Sequence, residues 1–416
     1  MRKLENRIHI VIIGGGASGM VAAIAAKRTN TYADVTIIDR MKQLGKKLLA
    51  TGNGRGNFSN IKTAPMYYND PEFVDNIFNS VSLFDVIHFF DAIGIFAKND
   101  AEGRMYPYSD QATSIHEVLI MEINRLGIIV QLETNVEYIE KQNNQFRITT
   151  HNGLIICDKV IVTTGGAAYP NLGSNGSGYE LLKRLGHNIT NIYPSLVGMK
   201  VEENMRHLGG IRIKGYVTLE SNKEELGSED GEIQFRESGI SGIVIMQMSV
   251  IIARRKVLGY VEPYVIKLDL MPTLALEEIK NILASRQLTL KDRSLSSFFT
   301  GMFHNQLGKE MLNRIGIFDL TKQVFTLNDK HITQLSQLVK EVTFKFVDFY
   351  SLDDAQVCSG GVINAEFNPI DLQSRIIPNL YAAGEVFNVD GETGGYNLQW
   401  AWSSGLLAGK SAANSK

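Results

Sequence analysis

Gly14-Gly15-Gly16-Ala17-Ser18-Gly19 satisfies G-x-G-x-x-G, and Asp39 follows 20 positions after Gly19. Each residue type has a physical task. Gly14 permits a tight turn, Gly16 lets the backbone approach a pyrophosphate, and Gly19 lets a helix pack closely on a strand. Ala17 and Ser18 sit where that helix opens, its positive dipole end facing the phosphates. Asp39 can accept hydrogen bonds from a ribose 2′-hydroxyl, with Arg40 beside it, and its charge repels a 2′-phosphate. Taken alone the glycine pattern is weak, and a purely structural turn is the plain alternative. Here the apolar run Ile8–Ile13 precedes it, an alanine-rich helical stretch from Ser18 to Arg28 follows, and the apolar run Val35–Ile38 leads into Asp39. That context points to an adenine dinucleotide and leaves NAD and FAD both open.

Two further segments choose FAD. The loop Gly45–Asn57 is basic, dense in glycine and rich in hydrogen-bonding side chains, with Lys47, Thr51, Gly52 and Asn57 as candidate contacts. Without a ligand such a loop is a solvated surface segment whose ordering costs entropy; with one, it suits a long anionic cofactor. Near the C-terminus, Asn379–Glu385 reads as a short buried strand ending in Gly384-Glu385, whose carboxylate can bind a ribityl hydroxyl. The stretch from Thr393 to Gln399 then opens the last helix. Its free N–H groups at Gly395, Tyr396, Asn397 and Leu398 can stabilise negative charge on a reduced flavin. Val136, in a strand near 135–139, and Thr164 and Gly165, after the apolar run Lys159–Thr163, complete the candidate cofactor contacts.

These residues carry a resemblance. The chain resembles the flavoprotein family of NAD(P)/FAD-dependent oxidoreductases that includes 3-dehydro-bile acid Δ4,6-reductases and aminoacetone oxidases. The similarity spans essentially the whole length and rests on GKKLLATGNGRGNFSN (45–60), GRMYPYSDQATSI (103–115), VIVTTGGAAYP (160–170), ESGISG (237–242), SGGVINAEFNP (359–369) and the glycine-rich run 379–409. It implies an α/β fold: a Rossmann-type, glutathione-reductase-like FAD domain with an inserted β-barrel-like domain and a helical subdomain. The chain departs from the family at three places. Gly56 stands where relatives usually have Cys, so no thiol is available there beside a flavin. Ile243 replaces the proline of GISGP, and Cys358 stands where relatives tend to have Thr. A small buried residue is the plainer reading of Cys358 than a redox thiol.

A flavin carries the hydride itself, so the protein's part is position and charge. Gly173, Gly176 and Gly178 follow no clear strand and suit a loop over the cofactor rather than a second dinucleotide site. With only two cysteines, Cys157 and Cys358, and no closely spaced pair, disulfide reduction is excluded. Two redox chemistries remain: NAD(P)H-dependent reduction of an enone such as a 3-oxo-Δ4 steroid, with NAD(P)H a transient co-substrate, or oxidation of a small amine or aminoketone with release of hydrogen peroxide. A non-catalytic flavin-binding protein is the third reading. Arg55, Arg104, Tyr106 and Tyr169 are the candidate catalytic groups: Arg to anchor a carboxylate or stabilise an enolate, Tyr to deliver a proton. An ordinary ion pair or hydrogen bond explains each of them equally well. Phe298, Phe299, Met302 and Phe303 fit a hydrophobic substrate pocket, or simply core.

The elements that must position these groups follow from pattern. At 416 residues, 44% hydrophobic and with 38 glycines, the chain is long enough for two or three cores. Residues 1–191 and 356–416 form one α/β domain on this reading; 192–271 and 320–355 form an inserted β-rich domain, and 272–319 a helical subdomain. Net charge is −2 with no basic stripe, which offers little attraction to nucleic acid or anionic membrane. The charged start, Met1–Arg7, is followed by too short an apolar run for a secretory signal. The apolar stretch Ile240–Ala253 is too short to span a bilayer. The expected partner is a small molecule in a reducing cytoplasm, with no metal, no membrane and no nucleic acid.

Overall fold

Ile10–Ile13 are buried on both faces of their strand because, in the computed structural model, His9–Ile13 is the middle of a five-stranded parallel sheet. The structure describes residues 7–414; the charged start up to Asn6, and Ser415 and Lys416, lie outside them. The strand order is Leu380–Ala382, Lys159–Val162, His9–Ile13, Asp34–Ile38 and Ile129–Gln131. Val11 pairs with Val160 on one side and Thr36 on the other. The chain runs outward from the central strand on one side and returns much later to build the other. The first and last parts of the sequence thus share one Rossmann-type sheet.

Alanine explains how that sheet is covered. The helix Ala17–Thr29 buries Met20 to Ala26 without a break, so it is packed on two sides rather than one. Its second partner is the C-terminal helix Tyr396–Asn414. At Gly405 a Cβ would lie 2.5 Å from the Ser18 carbonyl oxygen, and at Gly409 it would collide with that of Ala22. The two helices therefore touch backbone to backbone, which only glycine permits.

The chain divides into two compact units, one formed by Met1–Ser195 with Ser351–Lys416, the other by Leu196–Tyr350. The second contains a closed barrel with strand order Met199–Val201, Gly239–Ser241, Glu224–Arg236, Arg212–Ser221, Tyr264–Asp269 and Val342–Phe349. Two of these strands form one long hairpin, where sequence pattern indicated only short strands. The stretch 320–355, expected to be β-rich, also contains the helix Asp329–Lys340. Its core-facing residues Ile332, Leu335, Ser336 and Val339 recur at helical spacing, and Asn328 caps its start. Phe298 and Phe299 are buried with ring centroids 5.0 Å apart, which places them in the core of the helical segment. No helix among the described residues is long and apolar enough to cross a membrane.

Candidate active site

The central strand is where the sheet order reverses. In open parallel sheets, ligands bind outside the carboxyl ends of the strands at such a switch point. Four segments emerge there: Gly14–Gly19 after the first strand, Asp39 and Arg40 after the second, Thr163–Gly165 after Lys159–Val162, and Ala383–Glu385 after the last. Gly14 has φ +102°, and its N–H donates to Ile38 O at 2.8 Å. Thr163 Oγ1 donates to Gly14 O at 2.7 Å, tying the glycine turn to the neighbouring strand. A Cβ at Gly19 would collide with Gly14 O, so the helix can follow the turn this tightly only with glycine. Ser18 is buried beneath Gly384, Ala17 is half-buried, and Gly16 has open space in front of its Cβ direction.

Three features fit the adenine dinucleotide that the motif implies. The helix Ala17–Thr29 starts at Gly16 with no side-chain cap, leaving its first N–H groups for an anion. Thr164 Oγ1 and Arg40 Nε are buried and have no hydrogen-bond partner within the protein. The space before Gly16 is a cradle that a side chain would fill. Asp39 is more constrained than its sequence position indicates. Its Oδ2 accepts from Gly15 N and its Oδ1 from Met41 N, both at 2.7 Å. Burial pushes its pKa up against the pull of those two N–H groups. Each carboxylate oxygen keeps a further lone pair for a ribose hydroxyl.

Lys47 Nζ lies 2.9 Å from Glu385 Oε2, and Glu385 Oε1 accepts from Cys358 N at 3.0 Å. Arg40 Nη2 donates to Pro170 O at 2.9 Å, and Lys46 Nζ to Asn171 O at 3.0 Å, so two cations hold the loop after Tyr169. Thr51 Oγ1 donates to Leu48 O, and the chain turns left-handed at Gly52 and Asn53. Asn57, with its amide oriented to satisfy both ends, donates to Ser59 O at 2.9 Å and accepts from Gly395 N at 3.1 Å. Asn397 exchanges hydrogen bonds with both the N–H and the carbonyl of Gly391 at 2.9 Å. Both asparagine side chains thus brace backbone at the start of the C-terminal helix. Tyr396 is buried there with Leu398 half-buried in the next turn, and burial pushes the Tyr396 hydroxyl up to about 12. Val136 is buried at the first position of the strand Val136–Gln142, opposite Thr150, and Gly165 takes φ +72°.

Two of the four candidate catalytic residues, Arg104 and Tyr106, share one small sheet, made of Ser59–Asn60, Arg104–Pro107 and Ala97–Asn99, and Arg55 reaches Tyr106 from the loop that precedes the sheet. Arg104 and Tyr106, two residues apart, face the same side. The Arg55 guanidinium sits 4.2 Å from the Tyr106 ring centroid and 2.8 Å from Asp110 Oδ1. The hydrogen bond that Arg55 donates to Asp110 raises the Arg55 pKa, and hydrogen bonds from Lys98 and Arg55 hold Asp110 below its ordinary value. Arg104 faces Asp100 and Glu102 at 3.7 and 3.5 Å. Asn60 Nδ2 donates to Gly394 O at 3.0 Å, so this sheet adjoins the turn that opens the C-terminal helix. Tyr169 belongs to a different loop, where it takes φ +59° and its N–H donates to Leu352 O. Sequence pattern missed Asp110, Lys98 and Asn60. It also missed Tyr68, whose hydroxyl donates to Tyr396 O at 2.8 Å, and Tyr67, stacked on Tyr396 at 4.7 Å. Of these, Asn60 and Asp110 carried some signal, since they lie inside the motifs 45–60 and 103–115. Cys157 and Cys358 are both buried free thiols, and burial pushes each up to about 12, which suits packing rather than redox exchange. Among the described residues no group of His, Cys, Asp or Glu is placed to hold a metal ion.

Residues 8–411 match the family described as HI0933-like protein, Rossmann domain. The 3-dehydro-bile acid delta(4,6)-reductase of Clostridium scindens is 36% identical over 98% of this chain and 99% of its own length. The ribosomal RNA dihydrouridine synthase of Escherichia coli is 27% identical over 98% of this chain and 100% of its own. Among solved structures, the 3-ketosteroid delta1-dehydrogenase of Sterolibacterium denitrificans superposes with a TM-score of 0.50 at 11% identity, covering 99% of this chain and all of that one, a likeness of fold.

Proposed function

The chain belongs to the HI0933-like Rossmann family, and from that premise we propose that this FAD-dependent oxidoreductase reduces a carbon–carbon double bond conjugated to a carbonyl, in a 3-oxo-Δ4 steroid or bile acid intermediate. The observation that carries the reading is the 36% identity, sustained over 98% of the chain, to a reductase of that substrate class. NAD(P)H is proposed as the visiting electron donor. Gly173 and Gly176 lie in a turn between a 3-10 segment and a helix rather than after a strand, so they do not form a second resident dinucleotide site. Two reduced thiols agree with a cytoplasmic setting.

Bound FAD supplies the two-electron transfer. Saturating an enone adds hydride at the β-carbon and a proton at the α-carbon, and negative charge builds on the carbonyl oxygen in between. A cation fixed before that charge develops stabilises it most, because nothing has to reorganise. Arg55 meets this need: Asp110 holds one edge of its guanidinium and Tyr106 covers a face, leaving the side chain half exposed. Arg104 lies on the same sheet face, and Tyr106 and Tyr169 are the candidate proton donors.

A second reading has its own support. Uracil carries the same unsaturation, a C5–C6 bond conjugated to the C4 carbonyl, and dihydrouridine is its reduced form. A ribosomal RNA dihydrouridine synthase matches this chain end to end at 27% identity. The test of both readings is anaerobic. The yellow protein is mixed with NADH or NADPH and its bleaching followed; a 3-oxo-Δ4 steroid or a uridine-containing RNA is then added and the product weighed. Rapid bleaching and a steroid gaining two hydrogens support the first reading, while gain by RNA alone selects the second. Bleaching only by amines, with peroxide on admitting air, overturns both.

A further inference from the structure

The small sheet that carries Tyr106 continues outward beyond the catalytic candidates. Tyr108 N donates to Phe96 O at 2.7 Å and Lys98 pairs with Tyr106, so strand alternation puts Phe96, Lys98, Tyr106 and Tyr108 on one side. Phe96 is 71% and Tyr108 64% exposed, with ring centroids 5.4 Å apart. A cross-strand aromatic pair stabilises a hairpin, but these rings also turn broad faces to solvent amid cations. The Lys98 ammonium lies 5.2 Å from the Tyr108 ring and the Arg55 guanidinium 4.2 Å from that of Tyr106. Arg55 and Lys98 share one carboxylate, Asp110, so this end of the face carries one net positive charge. Asp100 and Glu102 lie at the opposite end, beside Arg104. An anion is thus drawn to the aromatic end and repelled from the other.

We propose that this face binds single-stranded RNA, with unpaired bases stacking on Phe96 and Tyr108 and Lys98 and Arg55 meeting the intervening phosphate. Aromatic rings interleaved with cations are how proteins hold unpaired nucleotides, since every base offers a π-face and every linkage a charge. The proposal rests on the second reading above, in which the reducible ring is a uracil.

Fluorescence anisotropy of a labelled oligouridylate on the FAD-loaded protein tests it. Wild-type protein is expected to bind, more weakly as salt rises. Phe96→Leu with Tyr108→Leu keeps the apolar pair of the hairpin but removes the π-faces. Each lost ring is expected to weaken binding about fivefold or more, with flavin absorbance, melting temperature and bleaching by NAD(P)H unchanged. No binding by the wild type, or equal binding by the double variant, overturns the surface. Binding that depends on these rings, with no RNA ever reduced, leaves the surface standing and removes the RNA-reductase reading.

Discussion

Lys47 and Glu385, 338 positions apart in the chain, meet at 2.9 Å at the carboxyl ends of the parallel sheet. Their side chains are only 25% and 20% exposed, so each leaves the other a poorly solvated charge if removed. The pair ties the basic glycine-rich loop to the strand end that closes the sheet, the two segments expected to contact the flavin. Lys47→Met is expected to weaken FAD retention about tenfold or more, the effect of about 1.5–3 kcal/mol for a charged hydrogen bond left unmade. Flavin fluorescence on dilution measures it. Full retention, with an unchanged melting temperature, would show that the pair plays no part in holding the cofactor.

Arg55 is expected to matter for turnover more than for stability, because it is half exposed and held by a neighbour rather than buried. Arg55→Ala should lower the rate of enone reduction on the order of 10²-fold, the usual effect of removing one preorganised donor to a developing oxyanion. Asp110→Asn should give a smaller loss by loosening the guanidinium. Steady-state rates on fully flavin-loaded protein check both; a wild-type rate for Arg55→Ala removes it from the mechanism.

The contact between the first and last helices is a stability determinant. Gly409→Val places a branched side chain where even a Cβ meets the Ala22 carbonyl oxygen. The expected loss is at least the roughly 1–3 kcal/mol of an overpacked core, read as a lower denaturant midpoint. Lys410→Ala, one position on and exposed, is the matched control and should leave the midpoint in place.

His187 gives the fold a pH dependence. Its Nε2 lies 2.9 Å from Ser374 Oγ and its Nδ1 2.8 Å from Glu366 Oε2. Ser374 Oγ already accepts from Ile376 N and Ile377 N, so its own proton goes to Nε2 and the ring proton sits on Nδ1. Ser, His and Glu stand in line as in a hydrolase, but the serine is buried and its lone pairs are occupied. Burial pushes the His187 pKa below its ordinary 6.5, outweighing the attraction of Glu366. A base held neutral in the fold is protonated more readily in the unfolded chain. Its contribution is therefore complete above about pH 6.5 and is lost as pH falls through the lower folded value. Urea midpoints from neutral pH to about pH 5 should fall for the wild type and stay flatter for His187→Gln. Parallel profiles would assign the loss to other groups.

Much of the nucleotide fold was legible because its signals are local. Apolar runs, a glycine turn, an alanine helix and an acidic residue after the next strand are each set by near neighbours, and together they specify strand, turn, helix and strand. The helix Asp329–Lys340 had its spacing in the sequence too, but the phenylalanines of the adjoining strand Val342–Phe349 gave the region a β texture. Lys98 had no local pattern at all, and the motif around Asp110 did not reveal its partners, since nothing in spacing reveals which distant cation a carboxylate will meet.

What the sequence by itself determined is the cradle: Gly14 to Gly19, Asp39 at the second strand, and the glycines that open and pack the final helix. Only the tertiary structure decided where side chains point. It turned both oxygens of Asp39 toward backbone N–H groups and used Asn57 and Asn397 as braces. It also set Arg55, from its loop, over Tyr106, which shares one small sheet with Arg104, while leaving Tyr169 in another loop. The physical reason is range: backbone conformation answers to neighbours a few residues away, whereas a hydrogen bond or ion pair answers to whatever chain the fold brings within about 3 Å.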